Sequence, residues 1–195
     1  MLSADIHIRS FAGPGLQNYI HSIAKLRMEI FKEEPFTQEP DLYRELNRLK
    51  SYLSSKEAIG TLVFDHTTLI GVSLGIPLAL ESSELQKPFV DHSQPIDQYF
   101  YFSESVLLLP YRRRGIGHHF FDIREAHVKQ LKQYQRICFI DPNTNHLKTN
   151  SLFLADFWKN RGYSPYSDLE CSLPWQNLGE MKPSEKKCLF WVKSL

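Results

Sequence analysis

The stretch "SVLLLPYRRRGIGHHFFDI", Ser105 to Ile123, constrains this chain more than any other. An apolar run of strand character ends at Pro110, three arginines follow, and Gly115 and Gly117 bracket Ile116. From there Ile116, Phe120, Ile123 and Leu131 recur on one face of a helix. A strand that turns into a helix through glycines presents amides without carbonyl partners, and the helix dipole makes that place favourable for an anion. Gly115 and Gly117 permit close backbone approach there. Arg112, Arg113 and Arg114 add charge, although consecutive side chains diverge and at least one faces away. An isolated turn of this kind is more often structural than ligand-binding, so its surroundings have to decide. The spacing is R-x-x-G-x-G and not the G-x-G-x-x-G of a dinucleotide fold, and the lysine of a Walker loop is missing. Beyond the turn "FFDIREAH" becomes mixed in charge, and the formal net charge of all 195 residues is +1, so no broad basic face for nucleic acid is expected. One small diphosphate fits the turn better.

The rest of the chain supplies both a sheet and helices. "DIHIRS" alternates Ile6 and Ile8 with polar residues, the period of a half-buried strand. After Gly13 to Gly15, Leu16, Ile20, Ile23, Ala24 and Phe31 recur at helical spacing up to Pro35. Leu42, Leu46, Leu49 and Leu53 share the face of a second helix, with Glu39 and Asp41 near its start. "AIGTLVF" and "LIGVSLGI" flank Asp65 to Thr68 as a hairpin. Leu80 to Gln98, with two prolines and little periodicity, reads as a long functional loop. "YFYFSESVLLLP" and "RICFID" are strands, a helix runs from Ser151 to the glycine of "KNRGY", and "LECSL" and "KCLFWVK" are the final strands. The length suits one domain, 1–195, with a core of its own. No apolar run reaches the roughly 18 residues of a spanning helix, and the start lacks the pattern of a leader, so a cytoplasmic protein without a membrane partner is expected. Cys138, Cys171 and Cys188 sit in apolar segments as buried free thiols, and the histidines lack metal-ligand spacing, so no metal is expected.

In this order of elements, with "ESVLLLPYRRRGIGHHFF", "ICFID" and "FWKNRGY", the chain resembles the GNAT superfamily of acyl-CoA-dependent N-acetyltransferases. Arg112, Gly115 and Gly117 match its Q/R-x-x-G-x-G/A pyrophosphate signature, and the resemblance covers nearly the whole chain. "YFSESVLLLPYRRRGIG" and the ending "LFWVKSL" look most similar to a bacterial group within it. The resemblance implies an α/β fold with a mixed, mostly antiparallel central sheet flanked by helices, its strands splayed around the cofactor. It implies acetyl-CoA as co-substrate, with the backbone of Val106, Leu107 and Leu108 on the pantetheine arm. The turn Arg112, Arg113, Arg114, Gly115, Ile116, Gly117 and His118 would hold the pyrophosphate. Asn150, one position from the family's asparagine at strict spacing, and Trp158 would complete the cofactor site.

Amide formation needs an unprotonated amine, hence a base. Glu104 is the candidate. Strict alternation puts it with Phe100, Phe102, Val106 and Leu108 on one apolar side of its strand, where burial would raise its pKa toward that of a useful base. The competing reading is a carboxylate paired with an arginine. The family often credits a tyrosine with protonating the leaving thiolate, and this chain has Trp158 in that place. Indole does not titrate usefully, so Trp158 either lines the thioester pocket or is a plain core aromatic, and neither Tyr163 nor water is singled out as a replacement acid. The acceptor, a small-molecule or peptide amine, would lie under the first two helices and the Leu80 to Gln98 loop. Glu33, Glu34, Glu39 and Asp41 beside Phe31 and Phe36 would suit a cation there, or belong to a solvated interhelical loop. An enzyme, a non-catalytic acyl-CoA sensor or scaffold, and a nucleic-acid binder remain as alternatives in that order. The apolar "CLFWV" offers a strand for pairing two subunits into a homodimer.

Overall fold

The computed structural model describes residues 5–32, 41–141, 149–175 and 181–195, the side chains of 149–153 and 175 excepted. Glu33, Glu34, Phe36 and Glu39 therefore lie outside the described residues. Strand β1 (Ile6–Ala12) leads through a 3-10 turn, Gly13–Tyr19, into α1 (Ile20–Ile30). Helix α2 (Leu42–Ser54) follows, then β2 (Ile59–Asp65) and β3 (Thr68–Pro77). Asp41 accepts the Arg44 N–H at 3.0 Å and so caps α2, which gives its carboxylate a structural task.

The segment from Leu80 to Gln98 is not one long loop. It contains α3 (Ser83–Asp91), whose Leu85, Pro88 and Phe89 are buried. Pro88 hides the helix from a reading by breakers, because it costs one intrahelical bond while the four-residue spacing of Leu85 and Phe89 still fills the core. Strand β4 (Tyr99–Leu107), α4 (Ile116–Leu131), β5 (Arg136–Asp141), α5 (Thr149–Asn160), β6 (Ser164–Trp175) and β7 (Ser184–Ser194) complete the order.

The strands form one seven-stranded sheet in the order β1-β2-β3-β4-β5-β7-β6, antiparallel except between β4 and β5. The expected mixed, mostly antiparallel α/β fold is the one found. Strand β7 lies inside the sheet between β5 and β6, so "CLFWV" has no free edge to offer a second subunit. That removes the expectation of a dimer built on this strand. Helices cover both faces. One face carries Leu62, Phe64, Val72, Leu74, Tyr99 and Tyr101 against α1, α2 and α3, and the other carries Phe100, Phe102, Ile137, Phe139 and Trp191 against α4 and α5. The three cysteines are free and buried.

Where the turn after β1 meets the end of α2, backbone meets backbone. A Cβ on Gly13 would stand 2.0 Å from the Tyr52 carbonyl and 2.1 Å from that of Ser55, at the end of α2. Gly13→Ala is expected to cost about 1–3 kcal/mol in urea unfolding, the range of overpacking. Gly117→Ala, whose Cβ meets nothing within 4 Å, is expected to lose none.

Candidate active site

The site begins with a miscount in β4. Ser73 of β3 pairs with Ser105, and Gly75 pairs with Phe102, so Ser103 and Glu104 together oppose Leu74 alone. This is a β-bulge, which adds one residue and bends its strand. It also breaks the alternation. Phe100 and Phe102 face α4, whereas Glu104 and Val106 face α1. The side of Glu104 shared with Phe100 and Phe102 is thus corrected.

Glu104 is not enclosed by apolar neighbours either. Arg27 of α1, 1% exposed, contacts Glu104 Oε1 through Nη1 and holds Glu45 Oε2 through Nε at 2.6 Å. Arg48 Nη2 lies 3.6 Å from Glu104 Oε2, and Ser103 Oγ donates to the same oxygen at 2.8 Å. The paired arrangement is the one present. The two guanidinium groups and the Ser103 hydroxyl fix the carboxylate in place. Burial, opposed by Glu45, pushes the Arg27 guanidinium below its ordinary value.

Strands β4 and β5 pair only at Tyr99 with Arg136, Phe100 with Ile137 and Tyr101 with Cys138. Beyond those pairs the bulge bends β4 away, and the strands splay. A cavity of about 490 Å³ occupies the gap. It runs from Ile30, Phe31 and Glu104 on one face, through Ser105 and Phe139, to Arg112, Arg113, Gly117 and Trp158 on the other. The sheet is therefore pierced, and the carboxylate and the arginine-glycine turn open into one space.

The turn itself is built for close approach. Gly115 has φ +82° and stands at the start of α4 without a side-chain cap, and a Cβ on Gly117 would meet open space. Arg113 adopts φ +62°, a conformation unusual for a residue with a Cβ. Arg112 Nε donates to the Leu107 carbonyl at 2.8 Å and so closes the turn against the end of β4. Arg114 lies over the Tyr111 ring at 5.4 Å, and Tyr111 donates to Asp65 Oδ2 at 2.6 Å. Arg112 and Arg113 line the cavity, and Arg114 is the arginine turned aside. Ile116 is buried with Ile6, Val63 and Phe120, which leaves only its backbone for a ligand, and His118 packs edge-on to Phe157 at 4.9 Å.

The three expected pantetheine contacts are not equivalent. Leu108 N–H donates to Ile70 of β3 at 3.0 Å, and by alternation along the ladder Val106 also directs its amide toward β3. Of the three, Leu107 turns its N–H and C=O to the open side, where the carbonyl accepts from Arg112 Nε. Trp158 packs on Phe139 and Trp191 at 5.0 and 5.1 Å and also lines the cavity, so it is core aromatic and wall at once. Tyr163 is no candidate acid. Its hydroxyl donates to Glu125 Oε1 at 3.0 Å, and burial pushes its pKa up. Asn150 lies in the first turn of α5, where the side chains are outside the described ones.

Sequence reasoning missed two residues, Arg27 and Arg124, both 1% exposed. Each follows an apolar residue of its helix by four positions, Ile23 and Phe120, so each sits on an apolar face. A charged residue in that register was the available signal. Arg124 lines the cavity, and its contacts hold the bulge: Nη1 donates to the carbonyls of Leu74 at 3.0 Å and Glu104 at 3.4 Å, and Nη2 to Ser105 Oγ at 2.8 Å.

No family model and no curated protein matches this sequence. Solved structures do match along nearly the whole chain. An acetyltransferase of the GNAT family from Streptococcus pneumoniae is 11% identical with a TM-score of 0.61, over 97% of this chain and 99% of its own. Arabidopsis thaliana NAA60 in complex with acetyl-CoA is 13% identical with a TM-score of 0.64, over 97% of this chain and 98% of its own. YncA from Salmonella typhimurium with its cofactor acetyl-CoA is 11% identical with a TM-score of 0.62, over 98% of this chain and 94% of its own. Identity this low speaks for architecture alone. With its splayed central strands and full-length likeness to these structures, the chain has the fold of the GNAT acetyltransferases.

Proposed function

We propose that this chain transfers an acetyl group from acetyl-CoA to a primary amine by direct attack, with Glu104 as the base. The observation that carries the reading is the continuous cavity through the sheet, which joins Glu104 to the uncapped start of α4. The residues fit a CoA thioester. Arg112 and Arg113 supply charge, Gly117 leaves space that any Cβ would fill, and the gap between β4 and β5 is a slot for a slender arm. Two of the similar structures carry acetyl-CoA.

In this reading the amine enters from the α1 and α2 face, past Ile30 and Phe31. As the nitrogen–carbon bond forms, the amine proton passes to Glu104, and the carbon–sulfur bond breaks to release a thiolate. A thiol with a pKa of about 8.5 can depart without a protein acid. That suits a site where Trp158 stands at the wall and the Tyr163 hydroxyl is engaged by Glu125. Arg27 and Glu45 are positioning residues that anchor Glu104 to α1 and α2. The non-catalytic acyl-CoA sensor is the second reading, and the tight pairing of Glu104 with Arg27 is what favours it.

Four measurements follow from the site. Calorimetry is expected to detect acetyl-CoA binding to the wild type, and Gly117→Glu, which sets a carboxylate where phosphate is to lie, weakens it by about a hundredfold or more. Unchanged affinity in the folded variant places the phosphates elsewhere. Glu104→Gln is expected to bind acetyl-CoA as the wild type does but to slow single-turnover acylation by on the order of 10² to 10⁴. Wild-type binding without turnover against a panel of amines decides for the sensor. Arg27→Met leaves the Glu45 and Glu104 carboxylates without their shared cation, and a loss of about 3–5 kcal/mol in chemical unfolding is expected.

A further inference from the structure

Among the described residues, Arg124 is a buried cation without a carboxylate partner. Its acceptors are all neutral: the carbonyls of Phe120, Leu74 and Glu104 and the hydroxyl of Ser105. Among the described residues no ion pair includes it, while the ring faces of Phe102 and Phe121 lie 4.1 and 5.0 Å from its guanidinium carbon. Burial pushes its pKa down to about 10, which still leaves it charged at neutral pH. Buried charges are ordinarily paired, since desolvation of an unpaired ion is costly. Here the unpaired charge stands in the wall of the slot, at the bulge, between the turn that is to hold phosphate and the carboxylate that is to accept a proton.

A guanidinium has five N–H groups. Nε is used by Phe120, both hydrogens of Nη1 by Leu74 and Glu104, and one of Nη2 by Ser105. One N–H, on Nη2, remains. We propose that Arg124 is a catalytic residue whose remaining N–H donates to the acyl carbonyl oxygen of the bound thioester, where negative charge develops as the amine attacks. The inference rests on the acyl-transfer reading above. It explains why an arginine occupies the apolar face of α4: pre-aimed positive charge in a site that excludes water stabilises a developing oxyanion without reorganisation. A single free donor suits one oxygen. An acyl chain ending in a carboxylate would call for a fork of two donors, which Arg124 no longer has.

The test needs no knowledge of the amine. Acetyl-CoA labelled with ¹³C at the carbonyl is bound to the full chain, its affinity is measured by calorimetry, and the carbonyl band is recorded by isotope-edited infrared difference spectroscopy. In the wild type the band is expected at lower wavenumber than in free acetyl-CoA, because the carbonyl is polarised. In Arg124→Met it returns toward the free position while affinity changes by no more than about threefold. Ser105→Ala, which removes a partner of Nη2 and keeps the guanidinium, retains the shifted band. The proposal is overturned if the wild-type band coincides with that of free acetyl-CoA, a result that requires no variant to fold. An equal shift in wild type and Arg124→Met also overturns it, since Arg124 then only props the bulge. So does a preference of the wild type for succinyl-CoA over acetyl-CoA that Arg124→Met abolishes, since the charge then reads an acyl carboxylate. Failure of the wild type to bind acetyl-CoA at all is seen first, in the calorimeter, and defeats the acyl-transfer reading together with this one.

Discussion

Two residues set against one, Ser103 and Glu104 opposite Leu74, govern the rest of the site. Without that extra residue, Glu104 would point toward α4 among Phe100 and Phe102, and β4 would continue beside β5 for its full length. With it, the carboxylate swings to α1, and the strands part after Tyr101 and Cys138. The opening through the sheet is the geometric remainder of that parting. A bulge frees backbone groups from the ladder, and they must be satisfied elsewhere. Arg124 does this from the α4 side, through the carbonyls of Leu74 and Glu104.

The bulge is thus held from both faces by arginine. Arg27 reaches the side chain of Glu104 from α1, and Arg124 reaches its carbonyl from α4. The two differ in kind. Arg27 is neutralised by Glu45 and Glu104, so its strength lies in geometry. Arg124 gives its hydrogen bonds to neutral groups and keeps its field. A fold that buries two guanidinium groups within one site accepts desolvation on both sides of a single strand. That is better understood as placement of charge than as a device for stability.

Much of this was legible in the sequence, because local patterns and the fold agree over most of the chain. The hairpin of β2 and β3, the amphipathic α4 and the glycine turn before it were each dictated by neighbours a few residues apart. The failures arose where distant contacts decide. Alternation along "YFYFSESVL" contains no trace of a bulge whose cause is a register with β3 and a guanidinium twenty residues downstream. The prolines of Leu80 to Gln98 speak for loop, yet Leu85 and Phe89 find a core to fill. "CLFWV" looked like an edge strand because nothing local says that β6 will lie outside it. The turn's signature names residues but not their orientation, since Tyr111 and Asp65, far apart in sequence, draw Arg114 aside.

The order of the last strands bears on how such a chain leaves the ribosome. Strand β6 touches the sheet only through β7, which is made after it. Until Ser184–Ser194 has emerged, β6 has no partner and β5 presents a bare edge, with Phe139 and Ile140 uncovered beside the slot. The half of the sheet formed by β1 to β4 can pair as it is synthesised, but the wall carried by β5 must wait for β7. For that interval the nascent chain exposes an unpaired strand edge of the sort that chaperones exist to shield.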